Sequence, residues 1–306
     1  LIHDTLVIFD RKLNNILSFS RDGHFIKKIL TQKQLHDSQI LKVSPFNGKI
    51  AVTIDMISDI LIYNLSGSRV KQIPSSPYKF TSIEIEPDVL CDFFPSISAK
   101  FNNNYYFSIR EGKTIHHFIK QEDSPRLNQS VERVNFYQLR GVNYLFASEL
   151  SSIFKINKQC IYPSFVFLDE SGDKIDYTNT NTIDVDDVIE TGKNLFITTI
   201  IRKKQYEYVY NKCDNSLKTI KPIENANSFV YGMYNDIDNI YPFWPTYFLN
   251  DSLCARSVMS KAIMDYLHTQ LNGSLPDQRR AVTIEKLRNR KPIENSIIII
   301  YKLKKQ

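Results

Sequence analysis

Apolar residues in this chain come in short runs of strand length, and polar turn residues separate the runs. Residues 6–9, 16–19 and 25–30 are three such runs, rich in β-branched and aromatic side chains. Asp22 and Gly23 lie between the second run and the third. This dipeptide favours a tight hairpin, because glycine adopts positive φ without steric cost and aspartate tolerates it. The pattern predicts three antiparallel strands.

The same unit recurs along the chain, each time with an aromatic residue four or five positions before a turn or the chain end. The intervals between successive aromatic markers are 44, 44, 60, 43 and 91 residues. One four-stranded propeller blade needs about 40–45 residues, so three intervals fit single blades and the 60-residue interval leaves room for a loop. The markers are Phe19, Tyr63, Phe107, Phe167, Tyr210 and Tyr301.

The longest interval contains two helical patterns where a seventh blade could otherwise lie. The first pattern has the spacing of one amphipathic face, formed by Val258, Met259, Ala262, Ile263, Tyr266 and Leu267. A second helix is predicted to begin near residues 274–277, where Ser274 can cap it and Pro276 suits its first turn. We therefore predict an all-β fold, a six-bladed β-propeller with a two-helix insertion, about residues 257–290, in the last blade.

Composition agrees with one domain over residues 1–306. Hydrophobic residues make up 42% of the 306 positions, and the chain has 17 Tyr and 19 Phe but only 9 Gly. Blades bury both faces against their neighbours, so a chain of this length can form one continuous ring of core.

The two ends of the chain predict that a native N-terminal segment is missing. Residues 297–303 read as the third strand of a blade with no fourth after them, and residues 6–9 read as a second strand. Propellers often close by completing one blade with strands from both termini. We expect residues before Leu1 to supply the missing strand or strands, and any export signal to lie outside this sequence as well.

The net charge of +6 does not indicate nucleic-acid binding. Residues 279–306 carry nine basic and two acidic side chains, a local excess of +7, whereas the rest of the chain sums to −1. Binding along a phosphate track requires basic side chains spread over a surface. A solvated helix face and tail explain the excess, and docking to an anionic surface or partner is the alternative.

Cysteine usage and hydropathy exclude several other classes. Cys91, Cys160, Cys213 and Cys254 are widely separated, with no CxxC or Cys/His metal spacing and no disulfide framework. No apolar run approaches the about 18 residues needed to span a membrane.

Catalytic signatures are absent from the sequence. No two of the nine glycines are closer than 19 residues, which excludes GxGxxG and P-loop cradles, and neither GxSxG nor HExxH occurs. His116 and His117 are adjacent in a predicted strand, so their side chains should point to opposite faces and not form one site.

The best ligand-binding candidates are the aromatic residues Tyr241, Phe243, Trp244 and Tyr247. Pro242 and Pro245 interrupt strand pairing, so this stretch should be a loop that presents rings. Aromatic platforms suit sugar rings or peptide side chains. The alternative is that these rings pack the helical insertion onto its blade.

A calcium site is a weaker candidate. Asp236 and Asp238 have the i, i+2 spacing of oxygen ligands, but the glycine and distal glutamate of a calcium loop are missing. Asp184, Asp186 and Asp187 alternate about a strand start in a similar way. A solvated turn explains either group, so calcium is the one cofactor considered and none is required.

The order of several motifs resembles the NHL-like six-bladed β-propeller lipoproteins of bacteroidete bacteria. The motifs are DTLVIFD, FSRDGHFIKKI, DILIYNLSG, YEYVYNK, YPFWPTYF after NDIDN, and the closing IIIIYKLK. The resemblance implies export to the periplasm, the outer membrane or the cell surface as a lipoprotein, and a binding or scaffolding role.

Three functions fit these observations. We expect an envelope-associated, monomeric binding propeller with a glycan or protein ligand and no established reaction. The first alternative is an enzyme, a polysaccharide lyase or hydrolase, with its site at the central channel. The second is a structural assembly subunit.

Overall fold

The computed structural model describes residues 2, 4–36, 38–55, 57–73, 81–94, 105–121, 134–169, 171–172, 183–202, 204–221, 223–225, 228–230, 232–233, 241–250, 253–270, 285 and 296–302. The chain divides into two compact units, Leu1–Asn128 with Asn157–Ile161 and Gln129–Ile156 with Tyr162–Gln306. The fold is an all-β β-propeller in which five blades are recognised. A single domain over the whole chain stays a prediction.

Three antiparallel sheets make up the first unit, each formed by strands that follow one another along the chain. A 3-10 helix, Gln32–Leu35, connects the first sheet to the second. The first sheet is β1 (Thr5–Asp10), β2 (Asn15–Ser20) and β3 (Phe25–Leu30). The second is β4 (Ile40–Phe46), β5 (Lys49–Ile54), β6 (Ile57–Tyr63) and β7 (Arg69–Ile73). The third is β8 (Thr81–Glu86), β9 (Val89–Phe93), β10 (Tyr105–Glu111) and β11 (Thr114–Lys120).

The second unit begins with two four-stranded antiparallel sheets and ends with smaller ones. The four-stranded sheets are β12 (Val134–Leu139), β13 (Val142–Ala147), β14 (Ser152–Ile156) and β15 (Ile161–Val166), then β16 (Ile183–Glu190), β17 (Asn194–Ile201), β18 (Lys204–Asn211) and β19 (Ser216–Ile220). The smaller elements are the hairpin β20 (Ile223–Asn225) and β21 (Ser228–Val230), the helix α1 (Ser260–Gln270), and the sheet of β22 (Tyr247–Asn250), β23 (Leu253–Met259) and β24 (Ser296–Lys302).

The prediction of six blades is wrong, since five are recognised in the described residues. Up to Ile220 the strands form antiparallel meanders, but the chain beyond it departs from that pattern. There a hairpin is followed by a three-stranded sheet in which β23 pairs with β24 across the segment that contains α1. Counting aromatic markers in the sequence cannot separate a full blade from such a shorter sheet.

Of the two helices predicted in the insertion, α1 is the one that lies among the described residues. It begins at Ser260, since Val258 and Met259 belong to β23 and pair with β24. Ile263, Tyr266 and Leu267 are buried, as the helical spacing predicted. The second predicted helix, apart from Glu285, lies outside the described residues.

One of the aromatic markers, Phe167, lies at a different place in its sheet from Phe19, Tyr63 and Tyr210. Phe167 comes after β15, the fourth strand of its sheet, whereas Phe19, Tyr63 and Tyr210 lie in the strand before the last. The equivalent position in the fourth sheet is Ile156, which is followed by the Asn157 turn. The 60-residue interval therefore reflects a misplaced marker as well as a longer connection.

Central strands bury side chains on both faces. In β5, Ile50 and Val52 join a core shared with the first sheet, whereas Ala51 between them packs on the opposite side, towards β9. In β17, Leu195 packs against the sheet β12–β15, and Phe196 points the other way. Side chains alternate along a strand, so an apolar residue at every position requires a neighbouring layer on each side.

The last strand of each sheet up to β19 is exposed along much of its length. These strands carry a lysine or a proline, which hinders pairing with another chain because it opposes an added strand with charge or a missing N–H donor. The residues are Lys27, Lys71, Lys120, Pro163 and Lys218.

A buried polar contact joins β12 to β16. The Tyr137 hydroxyl donates to Glu190 Oε2 at 2.5 Å, and Lys212 Nζ donates to Glu190 Oε1 at 2.9 Å and to the Thr191 carbonyl at 2.5 Å. Burial, followed by the charge of Glu190, raises the pKa of Tyr137 well above its usual range. The phenol therefore stays protonated and remains a donor.

Tyr137→Phe should lower the free energy of unfolding by about 2 kcal/mol, because it removes a hydrogen bond to a buried charged group. Urea denaturation followed by circular dichroism measures the change. Tyr144→Phe is the matched control, since Tyr144 stacks on the same ring at 5.5 Å but its hydroxyl makes no hydrogen bond among the described residues. Equal losses in the two variants would contradict the role of the Glu190 contact.

Gly67→Ala should destabilise the chain more than Gly23→Ala. Both glycines have positive φ, +91° and +84°, so both substitutions incur the same backbone strain. A Cβ at Gly67 would lie 2.4 Å from the Ile29 carbonyl oxygen, whereas one at Gly23 would have nothing within 4 Å. We expect an additional loss of about 2 kcal/mol for Gly67→Ala in urea denaturation; equal losses would show that the chain relaxes around the methyl group.

Candidate functional site

The four predicted aromatic residues lie in one stretch, residues 241–247, here called the aromatic segment. Its backbone is held at both ends. Phe243 forms a two-way bridge with Met233, with N···O distances of 2.8 Å and 2.7 Å, and the Thr246 N–H donates to the Ala255 carbonyl at 2.9 Å. The prolines leave most of the segment outside regular strands, as predicted, but the bridge and β22 give it fixed attachments.

Trp244 anchors the segment on β17. Its side chain is 3% exposed and packs edge-on against Phe196, with ring centroids 5.7 Å apart. The indole Nε1 donates to Thr198 Oγ1 at 3.1 Å, which satisfies its one polar group. Phe243 contacts Phe196 at 5.8 Å and Tyr301 at 4.4 Å, so two neighbouring rings attach the segment to β17 and β24.

Tyr241 packs the helix against the last sheet. Its ring is buried and meets Tyr266 of α1 edge-on at 5.4 Å. The Arg256 guanidinium lies 5.1 Å from the Tyr241 ring centroid, and its Nη1 donates to the Pro242 carbonyl at 3.1 Å. Burial raises the pKa of Tyr241, and the Arg256 charge opposes this. Tyr241 therefore packs the helix onto its sheet, which was the alternative to a ligand-binding role for this ring.

Tyr247 differs from the other three rings. It is the first residue of β22, an edge strand, and it is 57% exposed. The segment therefore has three rings that contact the protein and one that faces solvent. Ligand binding by these four residues stays a prediction.

The predicted calcium ligands Asp236 and Asp238 lie outside the described residues. In the part of the chain that the structure describes, no group of three or more His, Cys, Asp or Glu side chains is placed to hold a metal ion. Asp184, Asp186 and Asp187 lie on β16, which has a bulge between Val185 and Asp187. Asp187 is thereby placed opposite Thr198.

Sequence reasoning missed Glu207, which lies next to this segment. Glu207 is opposite Thr198 in the β17–β18 pairing and is 0% exposed. Its Oε1 accepts from Gln205 Nε2 at 3.1 Å, but its Oε2 has no hydrogen-bond partner among the described residues. Burial raises the pKa of Glu207 to about 7, against the opposing charge of Arg256 and the hydrogen bond from Gln205.

Two other buried carboxylates have cationic partners. Asp92 accepts from Arg110 Nε at 2.6 Å and from the Ser82 hydroxyl, and Glu190 is paired with Lys212 at 2.9 Å. Glu207 lacks such an ion pair among the described residues. Perturbed carboxyl groups without a full set of partners occur preferentially at functional sites, which makes Glu207 the strongest titratable candidate near the segment.

The first unit has a separate surface cavity of about 440 Å³ at the edge strand β11. The Lys158–Glu111 ion pair, with Nζ and Oε1 2.6 Å apart, lies in its wall. His116 and His117 both line it, although their adjacency predicted that they would not share a site. Tyr105 stacks on His117 at 4.9 Å. The other lining residues are Ile109, Phe118 and Gln159.

The cysteines form no disulfide bonds, and the described helices are not of the membrane-spanning kind. All four cysteines are free; burial raises the pKa of Cys91 well above its usual value and that of Cys254 to about 12, so both are inert thiols. Within the described ranges, no helix combines the length and the apolar character that crossing a bilayer requires.

Comparison with known proteins identifies the fold. No protein-family model matches the chain, and no curated protein matches it. A solved "Putative exported protein" from Bacteroides fragilis NCTC 9343 aligns over 99% of this chain and 89% of its own, with 15% identity and a TM-score of 0.67. At this identity the likeness shows a shared fold, and membership of the NHL-like lipoprotein family stays a prediction.

Two further solved structures align less closely. The extracellular domain of a "putative one component system" from B. thetaiotaomicron has 12% identity and covers 74% of this chain and 30% of its own. A dihydro-heme d1 dehydrogenase has 11% identity and covers 70% of this chain and 54% of its own. Both have TM-scores of 0.37, too low to support an argument.

Trp244→Ala should cost about 3–5 kcal/mol of unfolding free energy, because it empties a buried site and leaves Thr198 without its donor. Tyr247→Ala, with its exposed ring, should change stability by less than about 0.5 kcal/mol. Urea denaturation must be followed by circular dichroism, since Trp244 is the only tryptophan. A small loss for Trp244→Ala would contradict its anchoring role.

Proposed function

We propose that this chain is an exported, envelope-associated binding propeller that recognises a glycan or protein ligand through Tyr247, and that it catalyses no reaction. The proposal rests on the different roles of the rings in the aromatic segment. Tyr241, Phe243 and Trp244 hold the backbone, and Tyr247 presents a 57% exposed ring next to them. A ring on a fixed support binds with little ordering entropy lost.

A sugar ring is the ligand that suits this tyrosine best. The apolar face of a sugar stacks on the phenol ring, while the phenolic hydroxyl can donate to and accept from sugar hydroxyls. A peptide side chain could use the same ring, but it would need further apolar contacts to form a stable interface. Glycan binding is therefore the form of the proposal that we pursue, with protein binding as an outcome of the test.

Export and anchoring are part of the same proposal. The Bacteroides fragilis protein that shares the fold over nearly the whole chain is named as exported, which supports export here. We expect attachment to the envelope through a lipid anchor outside this chain, with the propeller acting as a monomer.

Two buried pairs of side chains that could support acid–base chemistry are engaged in structural roles. Tyr137 with Glu190, and Arg110 with Asp92, are within hydrogen-bond reach of each other. Each pair includes a buried carboxylate that is bonded within or between strands. An acid–base pair that works on a substrate must reach it, so these pairs favour binding over reaction as the function.

Affinity electrophoresis in gels containing soluble starch, xylan, mannan or dextran tests the proposal. We expect at least one polysaccharide to retard the wild-type chain, and Tyr247→Ala to reduce the apparent affinity at least tenfold. Tyr162→Ala is the matched control, because Tyr162 is another exposed tyrosine, on β15. Equal retardation of the Tyr247→Ala chain, or retardation by none of these polysaccharides, would overturn the glycan form of the proposal.

A further inference from the structure

Glu207 lies in the layer between the sheet β16–β19 and the aromatic segment. Val209 and Ile220 belong to a core with Trp244, and both are on the same side of the sheet as Glu207: Val209 two residues along β18, and Ile220 directly opposite it on β19. Thr198, opposite Glu207 on β17, accepts the indole hydrogen bond of Trp244. Glu207 is thus the cross-strand neighbour of Thr198, the residue whose hydrogen bond with Trp244 anchors the segment.

The charge of Arg256 acts on the same carboxyl group, and the Arg256 side chain contacts the start of the segment. Its guanidinium donates to the Pro242 carbonyl and lies over the Tyr241 ring. Its positive charge also lowers the pKa of Glu207 and so opposes the effect of burial on that pKa. A negative charge on Glu207 would attract the cation that holds the segment in place, and it would also create a need for water at Oε2.

We propose that Glu207 is a proton-controlled latch on the aromatic segment. With the carboxyl group neutral, the segment stays closed, with Trp244 on Thr198 and Arg256 on Pro242. Ionisation favours an open arrangement, in which the segment separates from β17 and the carboxylate gains water or Arg256 as a partner.

The direction follows from proton linkage. In the closed state the pKa of Glu207 is about 7, above its usual value of 4.5. In an open, hydrated state it returns towards that usual value, so the closed state binds the proton more tightly. The protonated carboxyl therefore favours closure below pH 4.5, and this preference is lost as the pH rises to about 7. The opening equilibrium constant should increase on the order of a hundredfold over that window.

Other titratable or charged groups on this side of the sheet must be distinguished from Glu207. Asp187 is the most important, because it also pairs with Thr198, from the opposite strand. The groups are Asp184 and Asp187 on β16, Lys218 on β19, Tyr241 in the segment, Cys254 and Arg256 on β23, and Tyr301 on β24.

Hydrogen exchange of the indole Nε1–H of Trp244 tests the latch directly. The chain has one tryptophan, so this proton gives a single NMR signal. Its protection factor, corrected for the intrinsic rate at each pH, reports even rare opening. We expect the factor to fall on the order of a hundredfold from pH 4.5 to 7.5 in the wild-type chain and to stay constant in Glu207→Gln.

Asp187→Asn is the matched control and should keep the wild-type pH response. A constant protection factor in the wild-type chain, or loss of the response in Asp187→Asn and not in Glu207→Gln, would overturn the proposal. If Glu207→Gln does not fold, a pH response that persists in Asp187→Asn still supports the latch, and a constant factor in the wild-type chain still overturns it. The backbone amide of Phe146, in another sheet, should show no such change; a parallel fall there would mean global unfolding and would also overturn the latch.

The role of the latch in regulation rests on the proposed function, whereas the exchange experiment uses no ligand. Where the polysaccharide gels retard the chain, retardation should be weaker at pH 8 than at pH 5 by the fraction of chains that have opened, and equal at both in Glu207→Gln, because an open segment no longer holds Tyr247 in place. A pH-dependent protection factor without retardation would support the latch and contradict the proposed function. Retardation with a constant protection factor would support the proposed function and contradict the latch.

Discussion

The architecture depends on one packing constraint: central strands such as β5 and β17 are apolar on both faces. Val52 and Ala51, or Ile197 and Phe196, are neighbours in sequence and point to opposite sides of their sheets. Such a strand is stable only between two layers, since an uncovered face would leave apolar area in water at about 25 cal/mol per Å². Within each unit, every sheet therefore needs its neighbours, and the exposed last strands are the positions where charge and proline are tolerated.

The same constraint makes buried polar groups costly, and the buried carboxyl groups differ in how far their hydrogen-bonding and charge requirements are met. Asp92 and Glu190 are buried but have cations at 2.6 Å and 2.9 Å. Glu207 is equally buried, yet one of its oxygens has no hydrogen-bond partner among the described residues. Natural proteins depart from full polar satisfaction mainly where function requires it. The departure here lies beside the aromatic segment that carries the binding hypothesis.

The aromatic segment combines stability and display in a short stretch. Proline at 242 and 245 prevents it from becoming an ordinary strand, so its position depends on side-chain contacts with β17, β24 and α1. Removing a ring from such a segment changes both its stability and its shape, whereas the exposed ring of Tyr247 can vary without cost to the core. Under the proposed function, variation at that position would change ligand binding and leave the fold intact.

The sequence by itself determined the strands and their antiparallel order. The predicted strands at residues 6–9, 16–19 and 25–30 match β1, β2 and β3 to within a residue, because alternation and turn residues act over short distances. Strands β8 and β9 were missed, although Pro87 and Asp88 mark the turn between them. Only the tertiary structure decided the number of blades, the burial of Trp244 and the environment of Glu207. Gln205, Glu207 and Val209 alternate with three tyrosines, so in sequence Glu207 reads as an exposed residue on the polar face of a strand. It is buried because a distant segment covers that face, and local pattern carries no information about which face a distant segment will cover.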